Sequence, residues 1–598
     1  MTSNAGPFYI GVDVGTGSAR AALVNLEGTI LSESTYATKT HRLESDARIF
    51  EQSTTNIWSQ ICTAVKDVLK SSGVSKDDVK GLGFDATCSL AVTDAQGQPI
   101  QVTPKSTFTP GDRNVILWAD HRAEEEAKLI NSTGNMVLNY VGKTMSLEME
   151  IPKVLWLKKH MPADVFQKCM FFDLPDYLTY RATGDTARSN CSLVCKCSYV
   201  PPGVDGSELG WQPDFFKTIG LDDLIKNDFA QLGGIPGRNG MVLTAGQPVG
   251  RGLTEQAAAE LGLQAGTAVG SGLIDAYAGW VGTIAAKAKN GPKDQSTNLI
   301  DSQYRLAAIA GTSTCHCIQS PEGILVDGVW GPYKHAVFPG MWMNEGGQSS
   351  TGQLIDFIID THPASERLKG LAQEKGTSIF ALLHGILDDL SKERNAPTLS
   401  HLTHDLTIYP DLHGNRSPLA DSSMRGLISG LKLDQGSSDL ALKYYATLEA
   451  IALQTRHIIE SMNAKGHQIK RLYMSGGQVK NAVFMQLMAD TCGIDVQLPY
   501  SHSASVVAGS AILGRFAHEL QEKGIDLSGV QQDLAEKASF EHRDRLWQLM
   551  VDMTKPGTLV HPNTKDETIK RILDAKYTVF TEAIETQRRW RSIVSKAM

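Results

Sequence analysis

Residues 11–24 read GVDVGTGSARAALV, and what this stretch does with its glycines decides the fold. Phe8, Ile10, Val12 and Val14 alternate with Tyr9, Gly11 and Asp13. That is the period-two pattern of a strand buried on one face, with Asp13 turned away from the Phe8/Ile10/Val12 side. Gly15 and Gly17 then allow a tight turn into a second strand from Ala19 to Val24, with Arg20 near its start. Two readings of the turn stand side by side. Either it is a hairpin that simply needed glycines, or it is a nest of free N–H groups, edged by Thr16 and Ser18, that receives phosphate oxygens. Neither G-x-G-x-x-G leading into a helix nor G-x-x-x-x-G-K-[ST] is present, so a dinucleotide fold and a P-loop are not signalled.

A chain of 598 residues exceeds what one hydrophobic core usually organises, so two large domains and an appended tail are expected. The net charge of −8 argues against a nucleic-acid surface, which needs a positive field. Nine scattered cysteines, an odd number at low density, fit a reducing compartment better than a disulfide scaffold. MTSNAGPF runs straight into the first strand without a basic-then-apolar segment, so a cytoplasmic chain is expected. From Leu261 to Ala286 the only formally charged residue is Asp275, but its many glycines and that central carboxylate suit a buried core better than a membrane span. Homodimerisation is compatible with the chain but not signalled by it.

Ile57, Ile61, Val65 and Val68 recur at helical spacing, and VKGLGFD (79–85) reads as another strand, whose end leads into Ala86, Thr87 and Cys88. WADHR (118–122) gathers an indole, a carboxylate and a guanidinium. An indole with Asp120 and Arg122 suits a polyol, and a surface ion pair beside a partly buried Trp118 suits the residues equally well. PKVLWLKK and FFDLPDYLTYRATG read as helices, and Cys315 and Cys317 fall on one strand face with His316 on the other, as core cysteines do. The polar stretch 287–304 reads as a junction loop. Beyond it the opening theme returns: RLAAIAGTSTCHCI (305–318) places Gly311, Thr312 and Ser313 between two apolar strands. Two opposed nests would hold a multiply charged ligand such as a nucleoside triphosphate. Glu345 precedes a glycine pair ahead of a helix start, and Gly476-Gly477 follows a strand, with Gln478 and Asn481 able to bond the edge of a planar ring. The 409–431 segment YPDLHGNRSPLADSSMRGLISGL reads as a structural connection, and the tail, with its stripe of Ile569, Ile572, Leu573, Phe580 and Ile584, as helix without chemistry. Its basic cluster Arg588, Arg589 and Arg591 reads as a solvated face.

Asp275 stands alone in VGSGLIDAYAGWVG; a carboxylate in such surroundings has hidden partners or a use, and beside a phosphoryl donor that use is as general base. GVDVGTGSAR, WADHR, GLIDAYAG, GTSTC, EGGQSSTG, HGNRSP and SGGQVKN occur in this order between residue 8 and about 515. Together they closely resemble the FGGY family of carbohydrate kinases, specifically its ribulokinase-like pentulose kinase branch. The resemblance implies an α/β fold of two ribonuclease H-like, actin-like ATPase domains facing across a catalytic cleft, with sugar deep inside and ATP with Mg2+ above it. It divides the chain into a sugar-binding domain at 8–286, a junction at 287–304, a nucleotide-binding domain at 305–515 and a helical extension at 516–598.

By the same resemblance Asp13 is metal-associated, Gly15, Thr16, Gly17 and Ser18 with Arg20 form the first phosphate hairpin, and Asp275 is the catalytic base. Gly311, Thr312 and Ser313 form the second phosphate turn, and Gly476, Gly477, Gln478 and Asn481 the adenosine segment. Lys196, Glu345 and the loop Ala86, Thr87 and Cys88 become sugar contacts, although CKC at 195–197 departs from the setting of this lysine in some ribulokinases. The expected activity is phosphorylation of a free pentulose, D-ribulose foremost, at its terminal hydroxyl. Another polyol or ketose (ribitol, L-ribulose, D-xylulose or glycerol) is the alternative, and an ATPase of the actin or chaperone type the more distant one.

Overall fold

The alternation around residue 8 is realised as β1 (Phe8–Val14), which pairs antiparallel with β2 (Ser18–Val24), itself paired with β3 (Ile30–Ala37). The computed structural model describes residues 6–598 apart from 107, 110, 292–294, 502–503 and 564–565, so part of the expected junction loop lies outside the described residues. Phe8, Ile10, Val12 and Val14 are buried against Ile57, Ile61, Val65 and Val68 of α1 (Thr54–Ser72), whose N-terminus is capped by the Ser53 side chain. On the far side of β1 run two parallel strands, β4 (Val79–Ala86) and then β5 (Ala268–Ile274), giving the order β5-β4-β1-β2-β3.

The second half repeats this plan. Its central strand β6 (Arg305–Ala310) hairpins into β7 (Thr314–Ser320); β8 (Trp330–Lys334) and β9 (Trp342–Gln348) extend one side, and β10 (Arg471–Ser475), β11 (Asp495–Leu498) and β12 (Thr558–Val560) the other. The order β8-β9-β7-β6-β10-β11-β12 contains β11-β10-β6-β7-β9, the counterpart of β5-β4-β1-β2-β3 with the same parallel and antiparallel senses. The repeat expected from the two glycine turns is a repeat of whole sheets. FFD, expected within a helix, is strand (Met170–Asp173), pairing with Leu90–Thr93 in a small antiparallel sheet, so that the consecutive Phe171 and Phe172 enter two different cores.

One contact between a helix of the second half and the first sheet is not legible in the sequence. The helix α2 (Ser505–Glu522) follows β11 of the second sheet, yet it lies across β1, β4 and β5 of the first. A Cβ on Gly11, Gly81 or Gly83 would run into the carbonyl oxygen of Val507, Gly514 or Ser510, and one on Gly270 would stand 2.6 Å from that of Leu513. Three neighbouring strands thus offer bare backbone to one helix. The expected boundary at 515 falls inside this helix, and the extension after it, expected as helical, contributes to both halves of the chain. Its helices Gln532–Glu541 and Arg543–Met553 follow α2, with Trp547 and Met550 in the core shared with the first domain, while β12 closes the second sheet. The last helix, α3 (Glu567–Ser595), buries Leu573, Phe580 and Ile584 of the expected stripe against the second half.

The close approach is testable by a single methyl. Gly83→Ala is expected to cost about 2–3 kcal/mol or more, because rigid backbone must move. Gly370→Ala, in the helix Ser365–Glu374 where an added Cβ meets nothing within 4 Å, is expected to be neutral or to stabilise by about 0.5–1 kcal/mol. Thermal unfolding of the two variants side by side checks this; equal melting temperatures would refute the contact.

Candidate active site

Strand register brings three carboxylates to one edge of the first sheet. Asp13 on β1 lies opposite Asp85 on β4 and, across the hairpin, opposite Arg20 on β2. On β5 the pairing with β4 shifts between Gly270 and Leu273, after which Leu273 pairs with Asp85 and Ile274 with Ala86. The chain then turns directly into the short helix Asp275–Val281, with Asp275 in its first turn. The bulge re-aims the strand end, and the helix start presents the carboxylate.

Burial decides how these groups titrate. Asp85 is fully buried; one carboxylate oxygen accepts from Ser510 Oγ of α2 and the other has no partner. Burial first, and the neighbouring Asp13 second, hold its carboxyl well above the usual range. Asp13 is raised as well, by burial, with Arg20 opposing. Asp275 is pushed up to about 7 by burial and then by Asp13, against the hydrogen bond that the Ala276 N–H donates to it at 2.7 Å.

The glycine hairpins gain their meaning from space. Gly15, Gly17 and Gly311 are not in the left-handed region, so neither turn needs glycine for its backbone. An added Cβ on Gly17 would meet nothing within 4 Å, and on Gly15 or Gly311 nothing closer than about 3.9 Å. The bare-hairpin reading loses its motive, and the reading as room left for a ligand gains one. Trp118 Nε1 donates to Thr16 Oγ1 at 3.0 Å, tying WADHR to the first hairpin. In the second domain the Thr312 carbonyl accepts from Thr351 N and Gln353 N, and Gln478 Nε2 donates to Thr351 Oγ1 at 2.8 Å, so this turn and the adenosine segment form one unit. Gly477 stands over open space, whereas a Cβ on Gly476 would strike the Ala310 carbonyl.

At the other end of the cleft, Lys196 closes the helix Asn190–Lys196 fully buried, its Nζ 4.3 Å from the Trp330 ring centroid. Glu345 on β9 sits opposite Trp330 on β8. It is ion-paired with Arg416, while its second oxygen is buried without a partner. Burial alone would raise this carboxyl, yet Lys196 and Arg416 hold it below its ordinary value. Cys88 is buried beside Lys196, and Thr87 Oγ1 is buried without a partner while its N–H donates to the Val14 carbonyl. Ala86 has its methyl in the sheet core, so only its backbone can face the cleft.

Three expectations are corrected. Asp120 and Arg122 are not available to a sugar: Asp120 accepts from Arg122 N, Nε and Nη2 and from Phe50 N, and Arg122 is completed by Glu51 and the Val102 carbonyl. They tie the turn that follows Trp118 to Phe50, Glu51 and Val102. Asn481 spends its side chain on capping Phe484 N and donating to Tyr444 Oη at 2.7 Å. The 409–431 segment is not mere connection. It delivers Arg416, whose guanidinium carbon lies 4.0 Å from the Trp330 ring centroid and which also reaches Cys315 Sγ and Glu148. A Cβ on Gly347 would stand 2.7 Å from Arg416 Cδ, so the second glycine of the pair after Glu345 makes room for this arginine inside a strand, while Gly346 faces Ile458 and Met462. The sequence signal was an arginine among turn residues, which resembles any loop until its partner is known.

Comparison with known proteins follows this geometry. The N-terminal domain of the FGGY family of carbohydrate kinases matches residues 8–282 and the C-terminal domain residues 306–518. The chain is 40% identical to a D-ribulokinase of Saccharomyces cerevisiae, over 98% of this chain and 94% of that one. It is 42% identical to an FGGY carbohydrate kinase domain-containing protein of Homo sapiens, covering 98% of each. Among solved structures, a xylulose kinase from Rhodospirillum rubrum superposes with a TM-score of 0.70 at 19% identity, over 98% of this chain and 99% of that one. That likeness shows the fold, two ribonuclease H-like domains of the actin-like ATPase kind.

The raised carboxyl of Asp275 gives a stability prediction. Its folded value of about 7 exceeds the ordinary 3.8, so the folded chain holds this proton more tightly than the unfolded one, and stability from this group is lost as pH rises through that window. Asp275→Asn is therefore expected to melt at or above the parent temperature at pH 8, with the difference shrinking towards pH 4. A lower melting temperature at pH 8 would mark Asp275 as a structural carboxylate.

Proposed function

This chain belongs to the FGGY family of carbohydrate kinases, and from that premise we propose that it transfers the γ-phosphoryl group of ATP to the terminal hydroxyl of a pentulose, D-ribulose foremost. The observation that carries the reading is a set of buried polar atoms without protein partners, Asp85 Oδ1, Thr87 Oγ1 and Glu345 Oε2, around Asp275 and Lys196. Unpaired buried polar groups are costly, and a polyhydroxyl ligand with a phosphoryl donor would satisfy them. Identity to a relative named D-ribulokinase supports the choice of sugar. A non-sugar ATPase gives no use to the Lys196, Glu345 and Arg416 end of the cleft.

In this mechanism Glu345, kept ionised by its two cations, accepts hydrogen bonds from sugar hydroxyls, and Lys196 donates to them. Asp275, poised by partial desolvation, takes the proton from the attacking hydroxyl as its oxygen closes on the γ-phosphorus. Gly15 and Gly311 spend their N–H groups on the Ser18 and Ser313 carbonyls, so the N–H groups that follow them in the two turns orient the phosphate chain, and Arg20 lies beside the transferred group. Mg2+ fits the donor set, since Asp13 and the orphaned oxygen of Asp85 are hard carboxylate ligands whose raised affinity for protons a cation would relieve. Bound there with the phosphates, it would supply charge neutralisation. Closing the domains excludes water from the transfer.

ADP release measured over D-ribulose, L-ribulose, D-xylulose, ribitol and glycerol is expected to give the highest kcat/KM with D-ribulose. D-xylulose or glycerol in first place would overturn the sugar assignment and leave the kinase class intact.

The base has its own signature. A base works only unprotonated, so kcat/KM is expected to fall about tenfold per pH unit below an acidic limb near about 7. Asp275→Asn is expected to lower kcat by roughly 10²–10⁴-fold, leave sugar affinity by calorimetry nearly unchanged and remove the limb. Near-normal single-turnover transfer in the folded variant would take Asp275 out of this role.

A further inference from the structure

Arg416 reaches Glu345 from a segment that makes little regular structure of its own, so something else must hold it there. Asn415, its neighbour in the chain, is the hub. Its N–H donates to the Asp421 carbonyl at 2.9 Å, its Oδ1 accepts from Leu419 N at 2.9 Å, and its Nδ2 donates to Asp411 Oδ2 at 2.8 Å. The loop is thereby folded on the Asp411 carboxylate and the Asp421 main-chain carbonyl. Asp411 is tied to the domain by Gln454 of the long helix Ser437–Ala464. Asp421 is tied to α3, at the far end of the chain.

The second tie is a small ionic cluster on the part of α3 that the sequence marks only as a basic run. Arg591 Nη2 lies 3.3 Å and Arg588 Nε 3.7 Å from Asp421 Oδ2; Arg591 also donates to Ser423 Oγ, and Gln587 Oε1 accepts from Arg425 N at 3.4 Å. Beneath them Met424 is fully buried against Tyr409, Phe580 and Ile584, so the loop and α3 share one apolar contact. The arginine side chains are 39% and 34% exposed, which makes each pair weak in itself and leaves the fold to the apolar contact underneath. Converging on one carboxylate, they suit a role in register rather than in stability.

We propose that Arg588 and Arg591 of the last helix are positioning residues for the sugar end of the active site, holding Asp421 so that the Asn415 hub keeps Arg416 on Glu345. Loosening Asp421 frees the carbonyl that fixes Asn415, lets Arg416 leave Glu345, and removes one of the two cations that keep Glu345 an ionised acceptor. Nucleotide groups lie on other strands and are untouched. This inference rests on the reading of Glu345, Lys196 and Arg416 as the sugar subsite.

The full-length protein with Arg588→Ala and Arg591→Ala together is expected to show KM and calorimetric Kd for D-ribulose raised about threefold to tenfold, with KM for ATP within about twofold of the parent. Arg591→Lys, which keeps the charge, is expected to recover most of the loss, and Asp421→Asn, nearly isosteric, to reproduce the defect should the double variant fold poorly. Arg416→Gln is the reference, expected to weaken D-ribulose by more than any of these. If Arg416→Gln weakens D-ribulose while the double variant and Asp421→Asn do not, the positioning role is refuted and the subsite stands. If Arg416→Gln itself leaves D-ribulose binding unchanged, the subsite reading falls. A parallel loss of ATP and sugar affinity with a lowered melting temperature, unrelieved by Arg591→Lys, would show α3 to be structural only and overturn the proposal.

Discussion

The backbone-to-backbone contact between α2 and the first sheet is the constraint on which the rest depends. An ordinary helix sits on a sheet through side chains, at a distance the side chains set. Here Gly11, Gly81, Gly83 and Gly270 remove them from three strands, and Gly514 removes one from the helix. The consequence is chemical as well as mechanical. Ser510 comes close enough to donate to Asp85, the buried carboxylate between Asp13 and Asp275. Gly509 and Gly282 bring the same helix against the short helix that begins at Asp275, with Cβ atoms there excluded by the carbonyls of Ala278 and Ser505. One helix, entering from the second half of the chain, thus fixes the setting of two of the three acidic groups in the first half. A segment that follows a strand of the second sheet and rests on the first also gives relative motion of the domains a direct path to the carboxylates.

What the sequence made legible follows from how local each signal is. The strand through Phe8–Val14, the helix through Ile57–Val68 and both glycine turns depend on residues within one or two periods of each other, and all stand where that pattern puts them. Asp275 was legible because an isolated carboxylate among glycines and apolar groups has few structural uses. The close packing of α2 was not, because glycines far apart in the chain announce a contact only when the strands are side by side. Arg416 and the Asp120–Arg122 pair failed for one reason in opposite directions. Whether a charged side chain serves the fold or the ligand depends on how many of its hydrogen bonds the protein already fills. Asp120 has its oxygens filled; Glu345, beside Arg416, has one left over.

That accounting also separates Glu345 from Asp275, the two acids assigned to the proposed site. Glu345 is the more deeply enclosed, and burial alone would neutralise it, but Lys196 and Arg416 more than offset that penalty. Among the described residues no cation is ion-paired with Asp275; after burial, Asp13 and then Glu345 repel a second negative charge there, and Lys196 opposes them. Two carboxylates in one cleft are driven to opposite sides of neutrality, one a permanent acceptor and the other able to take up a proton near pH 7. The same ionised Glu345 that would orient a hydroxyl also raises Asp275, so binding and basicity are coupled through one charge. Any change that lets Arg416 withdraw raises the cost of charge on Glu345 and, as Glu345 becomes neutral, lowers the pressure on Asp275. On the proposed reading, the Glu345 and Arg416 end of the site would therefore set the proton affinity of Asp275, and the strength of that setting would be decided by a loop anchored on the last helix.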